Sequence, residues 1–379
     1  TIDDAPEFAR QHADRLHTYP MHARTHSPVW PLLFRAAIRA GASPVAAPLA
    51  RGVAWVLGGR FDEGAELARS VAAGSVEIAP ELAARPLSDD VIHGLWLLTG
   101  VLALATALLP IACYGLVRAF ADADSALHAA AWVPWIAAPL VYFPAVDVLY
   151  PVLFVLATSA WLRRDRALGW ALVAGAVVAL LVALSYGNLA LLLTLGLVPL
   201  LTWGQPARRT RRELLAAALL IAPLAALLGW AASSGLRPLA MFAAGMAQHR
   251  AILAHRSLPL WVALNPLECV VALGLPTALC LFAGVDWRAI VRGARAAALD
   301  GASAVLAATA LTLAVLDVGG QTKGEAGRLW MGFFPLLVAG AAPVLVARAR
   351  DWHGLVPLSA LTLLVLQGFY VFVWLYPLR

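Results

Sequence analysis

The densest group of chemically capable residues is Lys323, Glu325 and Arg328, set just ahead of an apolar stretch. A lysine beside an arginine offers a point charge and a two-pronged donor, the combination that grips a phosphate. Glu325 and Arg328 stand three apart, which suits an ion pair on a helical turn. An exposed pair of that kind stabilises by less than about 1 kcal/mol, so stability is a poor reason for it. A binding role is expected instead, with Glu325 orienting Arg328 or holding an acceptor hydroxyl. A second basic group comprises Arg237, His249, Arg250, His255 and Arg256. His249 and Arg256, seven apart, share a face of a continuous helix, whereas Arg250 and Arg256 do not.

Carboxylates for acid–base work stand at the start of the chain, Asp3 and Asp4. Asp4, Ala5, Pro6 and Glu7 have the spacing of a capping box with proline in the first turn. One aspartate suffices for the cap, which leaves the other for catalysis. His12, His17, His22 and His26 crowd one stretch, but intervals of five, five and four are not a zinc-ligand pattern. These imidazoles are expected to hydrogen-bond a substrate or backbone carbonyls, with no metal ligand set. Use of a divalent metal stays open, because the carboxylates suit either a base or a ligand role.

The elements that must position these groups are membrane helices. Hydrophobic residues make up 61% of the 379 and charged residues 13%, with mean hydropathy +0.78. A soluble domain is nearer half apolar and a quarter charged. No segment alternates in the manner of a membrane barrel strand, so the class is all-α. The net charge of +6 sits in short loops between spans, where it orients the chain rather than binding nucleic acid. Cys113, Cys269 and Cys280 all fall in apolar spans and offer neither a disulfide framework nor a metal spacing.

About ten spans are expected: 91–119, 126–143, 148–162, 168–185, 189–203, 214–232, 260–285, 302–318, 329–347 and 355–376. Their connecting loops sort into two kinds. Arg163–Arg166, Arg208–Arg212, Arg288–Arg295 and Arg348–Arg350 are basic and mark the cytoplasmic side. The alternate loops carry Asp147, Tyr186–Asn188, His249–Arg256 and Lys323–Arg328, and so share the extracytoplasmic side. Residues 1–90 form an extracytoplasmic region ahead of the transmembrane domain, 91–379. Within it, the apolar stretches 30–40 and 45–57 are interrupted by Arg35, Arg39 and Arg51, and arginine in hydrocarbon costs several kcal/mol. Residues 30–58 are therefore expected to lie in the interface without crossing, or to form a re-entrant pair, with a more polar helix at 62–72. A transmembrane helix ahead of Thr1, rather than a cleaved signal peptide, is expected to bring Thr1 outside.

Taken in order, these residues resemble the membrane glycosyltransferases of the GT-C fold, including the protein O-mannosyltransferase-like and aminoarabinose transferase-like enzymes. Asp3-Asp4 matches an acidic pair that follows the first membrane helix. His26, Ser27, Pro28, Val29, Trp30 and Pro31 match a juxtamembrane His/Lys-Pro-Pro stretch, with Val29 in place of its second proline. Asp147 falls in a matching central loop, and Glu325 with Arg328 matches a late Glu-x-x-Arg ahead of a helix. The resemblance implies an inverting transfer of a sugar from a polyprenyl-phosphate donor to a glycan, lipid or protein acceptor, at the extracytoplasmic face of a cell membrane. Asp3 or Asp4 would be the base; Lys323, Arg328, Arg250 and Arg256 would hold the donor phosphate; Glu325, His26, Asp147 and His249 would support them. Two other classes compete: a transporter or flippase of an anionic lipid-linked substrate, and a non-enzymatic membrane assembly subunit.

Overall fold

The computed structural model describes residues 5–15, 27–74, 87–204 and 210–349, and among these every regular element is a helix. In chain order they are α1 (Ala5–Arg15), α2 (Val29–Gly41), α3 (Ala46–Val56), α4 (Phe61–Gly74), α5 (Asp89–Val117), α6 (Ala123–Trp132), α7 (Ala137–Val141), α8 (Tyr150–Leu162), α9 (Gly169–Leu184) and α10 (Ala190–Leu201). There follow α11 (Thr210–Ser233), α12 (Pro238–Leu253), α13 (Leu258–Leu273), α14 (Leu275–Gly284), α15 (Trp287–Arg295), α16 (Gly301–Val318), the short α17 (Ala326–Leu329) and α18 (Phe334–Ala349). The all-α expectation holds.

Four stretches are long and apolar enough to cross a bilayer: Asp89–Val117, Val146–Asp165, Arg211–Ser233 and Gly301–Val318. A fifth is obtained if α13 and α14, bent by 110° at Gly274, count as one broken span. Gly274 takes φ +91°, open to glycine, and Pro276 opens α14, so the chain turns instead of continuing the expected span 260–285. The expected span 126–143 is likewise interrupted. Its prolines at 134 and 139 divide it into α6, a 3₁₀ turn and the five-residue α7. Shorter apolar helices occupy three other expected spans, at Gly169–Leu184, Tyr186–Leu201 and Met331–Ala347. The last, 355–376, lies outside the described residues. Large apolar side chains such as Leu172, Leu180, Leu214, Leu311 and Val315 face outward. Such surfaces are compatible with a membrane protein, whose solvent is apolar.

The chain divides into two compact units. The first holds residues 1–104, 183–186 and 228–254. There α2 and α3 are separate helices of 13 and 11 residues, each well short of the roughly 20 residues a crossing needs. The expected polar helix at 62–72 is α4. Glycines set the packing on the first half of α5: a Cβ on Gly41 would lie 2.0 Å from the Asp90 carbonyl oxygen, and one on Gly94 2.5 Å from that of Ala37. Ser27 is buried and donates to the carbonyl of Leu184 at 3.3 Å, while Val29 N–H donates to Ser27 Oγ. In α1 Glu7, expected in a capping box with Asp4, which lies outside the described residues, pairs with Arg10 at 3.1 Å, and Asp14 pairs with Arg237 of the segment leading into α12.

The second unit holds residues 105–182, 187–227 and 255–379. Its centre is α16, packed against α10 and α18. Thr194 and Thr312 hydroxyls bond at 2.8 Å, and Leu299 N–H donates to Leu201 O at 3.0 Å, so α10 and α16 run antiparallel. A Cβ on Gly340 would sit 2.7 Å from Leu306 N, which shows how closely α18 approaches α16. One end of this unit collects arginines. Arg163 donates to Gly115 O, and Arg212 to Asp165 O at 2.7 Å. Arg164 is buried against Glu213 at 3.1 Å and over the Trp161 ring at 4.3 Å. Gly204 N–H donates to Ala297 O just beyond α15, and Gly301 lies against Phe120. The basic segments 163–166, 211–212 and 288–295 thus gather at one end, and Lys323–Arg328 lies beyond the far end of α16. The sequence expectation that basic loops face the cytoplasm would put this arginine end inside. A cysteine at the exposed Gln321 is therefore expected to react with an impermeant maleimide in intact cells, and one at the exposed Arg292 to be spared. The reverse pattern of labelling would invert the topology.

Candidate functional site

The loop from Gly319 to Glu325 joins α16 to α17, and three residues there adopt a left-handed backbone: Gly320 (φ +67°), Gly324 (φ +90°) and Glu325 (φ +59°). Two are glycines, as that region favours. Glu325 is the exception, and such a conformation costs a non-glycine residue about 1–3 kcal/mol. It persists because the Glu325 carbonyl starts α17, accepting from the N–H groups of Arg328 at 3.1 Å and Leu329 at 2.9 Å.

Asn265, fully buried on α13, holds this loop in place. Its Oδ1 accepts from Gly324 N–H at 3.2 Å, and a backbone N–H can only donate, so the amide orientation follows. The Nδ2 group then faces the carboxyl of Asp317 at 2.8 Å and the carbonyl of Thr322. The Thr322 hydroxyl accepts from the Trp330 indole at 3.1 Å. On the adjoining turn of α13, Glu268 accepts from Gly327 N–H at 2.9 Å. A Cβ at Gly327 would meet Ala272 at 2.9 Å and the Tyr142 hydroxyl at 3.3 Å, so this backbone passes tightly between its neighbours.

Arg328 lies between two carboxylates. Its Nη2 meets Glu325 Oε2 at 2.6 Å, the pair that the spacing of three anticipates. Its Nε is 3.7 Å from Asp147 Oδ2, beyond hydrogen-bond length. That Nε is buried and makes no hydrogen bond among the described residues. Arg256 stacks over Trp261 at 5.6 Å and donates through Nη1 to the Lys323 carbonyl. It therefore braces the loop, with part of its donor set already committed. Lys323 is half-buried, its stem passing Gly320.

Of the residues singled out from sequence, Arg256, Lys323, Glu325 and Arg328, with Asp147, come together in the second unit. His249, half-buried, and Arg250, exposed, lie on α12 in the first unit. Asp3, Asp4 and His26 lie outside the described residues, as do His17 and His22. Asn265, Thr322, Trp261 and Trp330 were not anticipated; the available signal was an asparagine inside an apolar span, where an unpaired amide is costly. Among the described residues no three His, Cys, Asp or Glu side chains gather as a metal site. Comparisons with models of protein families, with curated proteins and with solved structures find no match to this chain.

Asn265→Leu keeps the side-chain volume and removes the three bonds. It strands Gly324 N–H, Thr322 O and Asp317, at about 1–3 kcal/mol for each group left unsatisfied. Thermal unfolding in detergent is expected to shift down by several degrees; an unchanged midpoint would show that the loop is held by other contacts.

Proposed function

We propose that the chain is a polytopic membrane glycosyltransferase with about ten crossings. It moves a sugar from a polyprenyl-phosphate donor to an acceptor at the extracytoplasmic face, with inversion. The observation that carries this reading is the buried Nε–H of Arg328, a cationic donor with no hydrogen-bond partner among the described residues. A phosphate oxygen would satisfy it, and Lys323 stands on the same loop to supply further positive charge. Displacement at the anomeric carbon builds negative charge on the departing phosphate, which fixed cations stabilise. Glu325 holds the guanidinium in orientation through Nη2 and leaves Nε for the ligand. Because Asp147 and Glu325 balance Arg328, the site suits a leaving group whose charge grows during the reaction better than a permanently bound polyanion.

The base role belongs in this reading to Asp3 or Asp4, on the strength of the resemblance. A positioned general base contributes roughly 10²–10⁴-fold. Asp3→Asn should therefore lower turnover by about 10²-fold or more with donor binding nearly intact. Arg328→Ala should weaken donor binding and turnover together, since a phosphate contact exists in both ground and transition states. Measured with a polyprenyl-phosphate sugar as donor, an Arg328→Ala enzyme with unaltered KM and kcat would refute the assignment. One observation favours the transporter or flippase reading: the broken α13–α14 pair, an interruption of the kind transporters use for binding, carries Glu268, and Asn265 of the same α13 holds the buried Asp317. Sugar transfer by the purified chain decides between the two.

A further inference from the structure

An apolar cavity of about 250 Å³ lies in the second unit among α13, α14, α16 and α18, with Trp287 of α15 at its margin. Helix α16 contributes Leu306, Ala310, Leu313, Ala314 and Asp317, at intervals that place them on one face. From Leu306 to Asp317 that face extends roughly 16 Å at 1.5 Å per residue. Helix α13 supplies Pro266, Cys269, Val270 and Leu273, again a single face. The lining is aliphatic and aromatic except at one end, where Asp317 is its one charged side chain.

Asp317 is 7% exposed. Its Oδ1 is held by Asn265 Nδ2 at 2.8 Å, and the fixed orientation of that amide makes this oxygen an acceptor. Among the described residues Oδ2 carries no hydrogen bond. The indole of Trp330, also in the lining, is already spent on Thr322, and the Cys269 thiol is at most a weak donor. Asp317 lines the cavity, and a donor brought in there would reach a carboxylate acceptor in apolar surroundings. Lysine and arginine are both missing from the wall, so the cavity repels a phosphate head at its polar end. A hydrogen-bond donor is what the geometry lacks.

We propose that this cavity binds a single-chain lipid whose head donates a hydrogen bond, a hydroxyl or an ammonium, with the chain along α16 and the head on Asp317 Oδ2. The site uses none of the cations assigned to the phosphate and so stands apart from the transfer reaction. A lipid alcohol and a lipid amine share this chemistry, and the amine adds charge complementarity to the carboxylate.

The test uses the full chain in phosphatidylcholine nanodiscs with 12-carbon amine, alcohol and phosphate probes. Each carries a diazirine on the chain, and crosslinked peptides are mapped by mass spectrometry. The amine and the alcohol are expected to label residues 266–273 and the cavity face of 306–317 with about tenfold higher yield than the phosphate, the size of one charge-assisted hydrogen bond. Asp317→Asn should remove most of that discrimination. Ala310→Phe, which narrows the cavity without touching its polar end, should lower labelling by all three probes, and it keeps the test decisive if Asp317→Asn fails to fold. Equal or stronger labelling by the phosphate in the unaltered chain would overturn the inference while leaving the Arg328 reading intact. Labelling confined to the outward-facing Leu311 and Val315 would overturn it as well.

Discussion

The buried amide of Asn265 is the constraint on which the candidate site depends. One side chain satisfies a backbone donor, a backbone acceptor and a carboxyl group, and in doing so ties α13 to α16 and to the loop between α16 and α17. With that loop fixed, Glu325 is held in a left-handed conformation that an isolated chain would abandon, and its carbonyl starts the turn that presents Arg328. The same amide fixes Oδ1 of Asp317, which lines the apolar cavity. A polar hub in an apolar surrounding is worth much when every bond is made and costs as much when one is lost. The hub therefore specifies one arrangement of the loop rather than merely adding stability.

At the other end of the second unit the physics is different. Arg164 is buried, yet Glu213 and the Trp161 face compensate it, and Arg212 caps the backbone carbonyls of Arg164 and Asp165 just after α8. Desolvating a charge is tolerable there because it is paired, and breaking such a pair would cost about 3–5 kcal/mol. The remaining arginines of α15 are exposed and distributed along a nine-residue helix. The two ends thus use the same residue type in opposite ways. Arginine at the basic end is structural or solvated, whereas Arg328 keeps a buried donor unspent.

Much of this was legible from sequence, for identifiable reasons. Apolar length and loop charge anticipated long helices such as α5, α11 and α16, and the gathering of basic segments 163–166, 211–212 and 288–295. A spacing of three anticipated the Glu325–Arg328 pair. Breaks inside apolar runs were less legible: Pro276 follows Gly274, where the chain bends by 110°, yet membrane helices tolerate both residue types, so the pair alone does not announce a break. The role of Asn265 was not legible either, since its partners are 52 to 59 residues away in the chain. Arg256 was anticipated as a phosphate ligand, but its stacking on Trp261 and its bond to Lys323 arise from packing that spacing does not encode.

The central claim is that Arg328 receives the phosphate of a lipid-linked donor. The most direct measurement is a cryo-electron microscopy map of the full chain in nanodiscs saturated with a polyprenyl-phosphate sugar. The account predicts phosphate density within hydrogen-bond reach of Arg328 Nε, with Asn265 still bonded to the loop. Phosphate density at Arg211, Arg212 or the α15 arginines, with Arg328 still enclosed by Glu325 and Asp147, would contradict it.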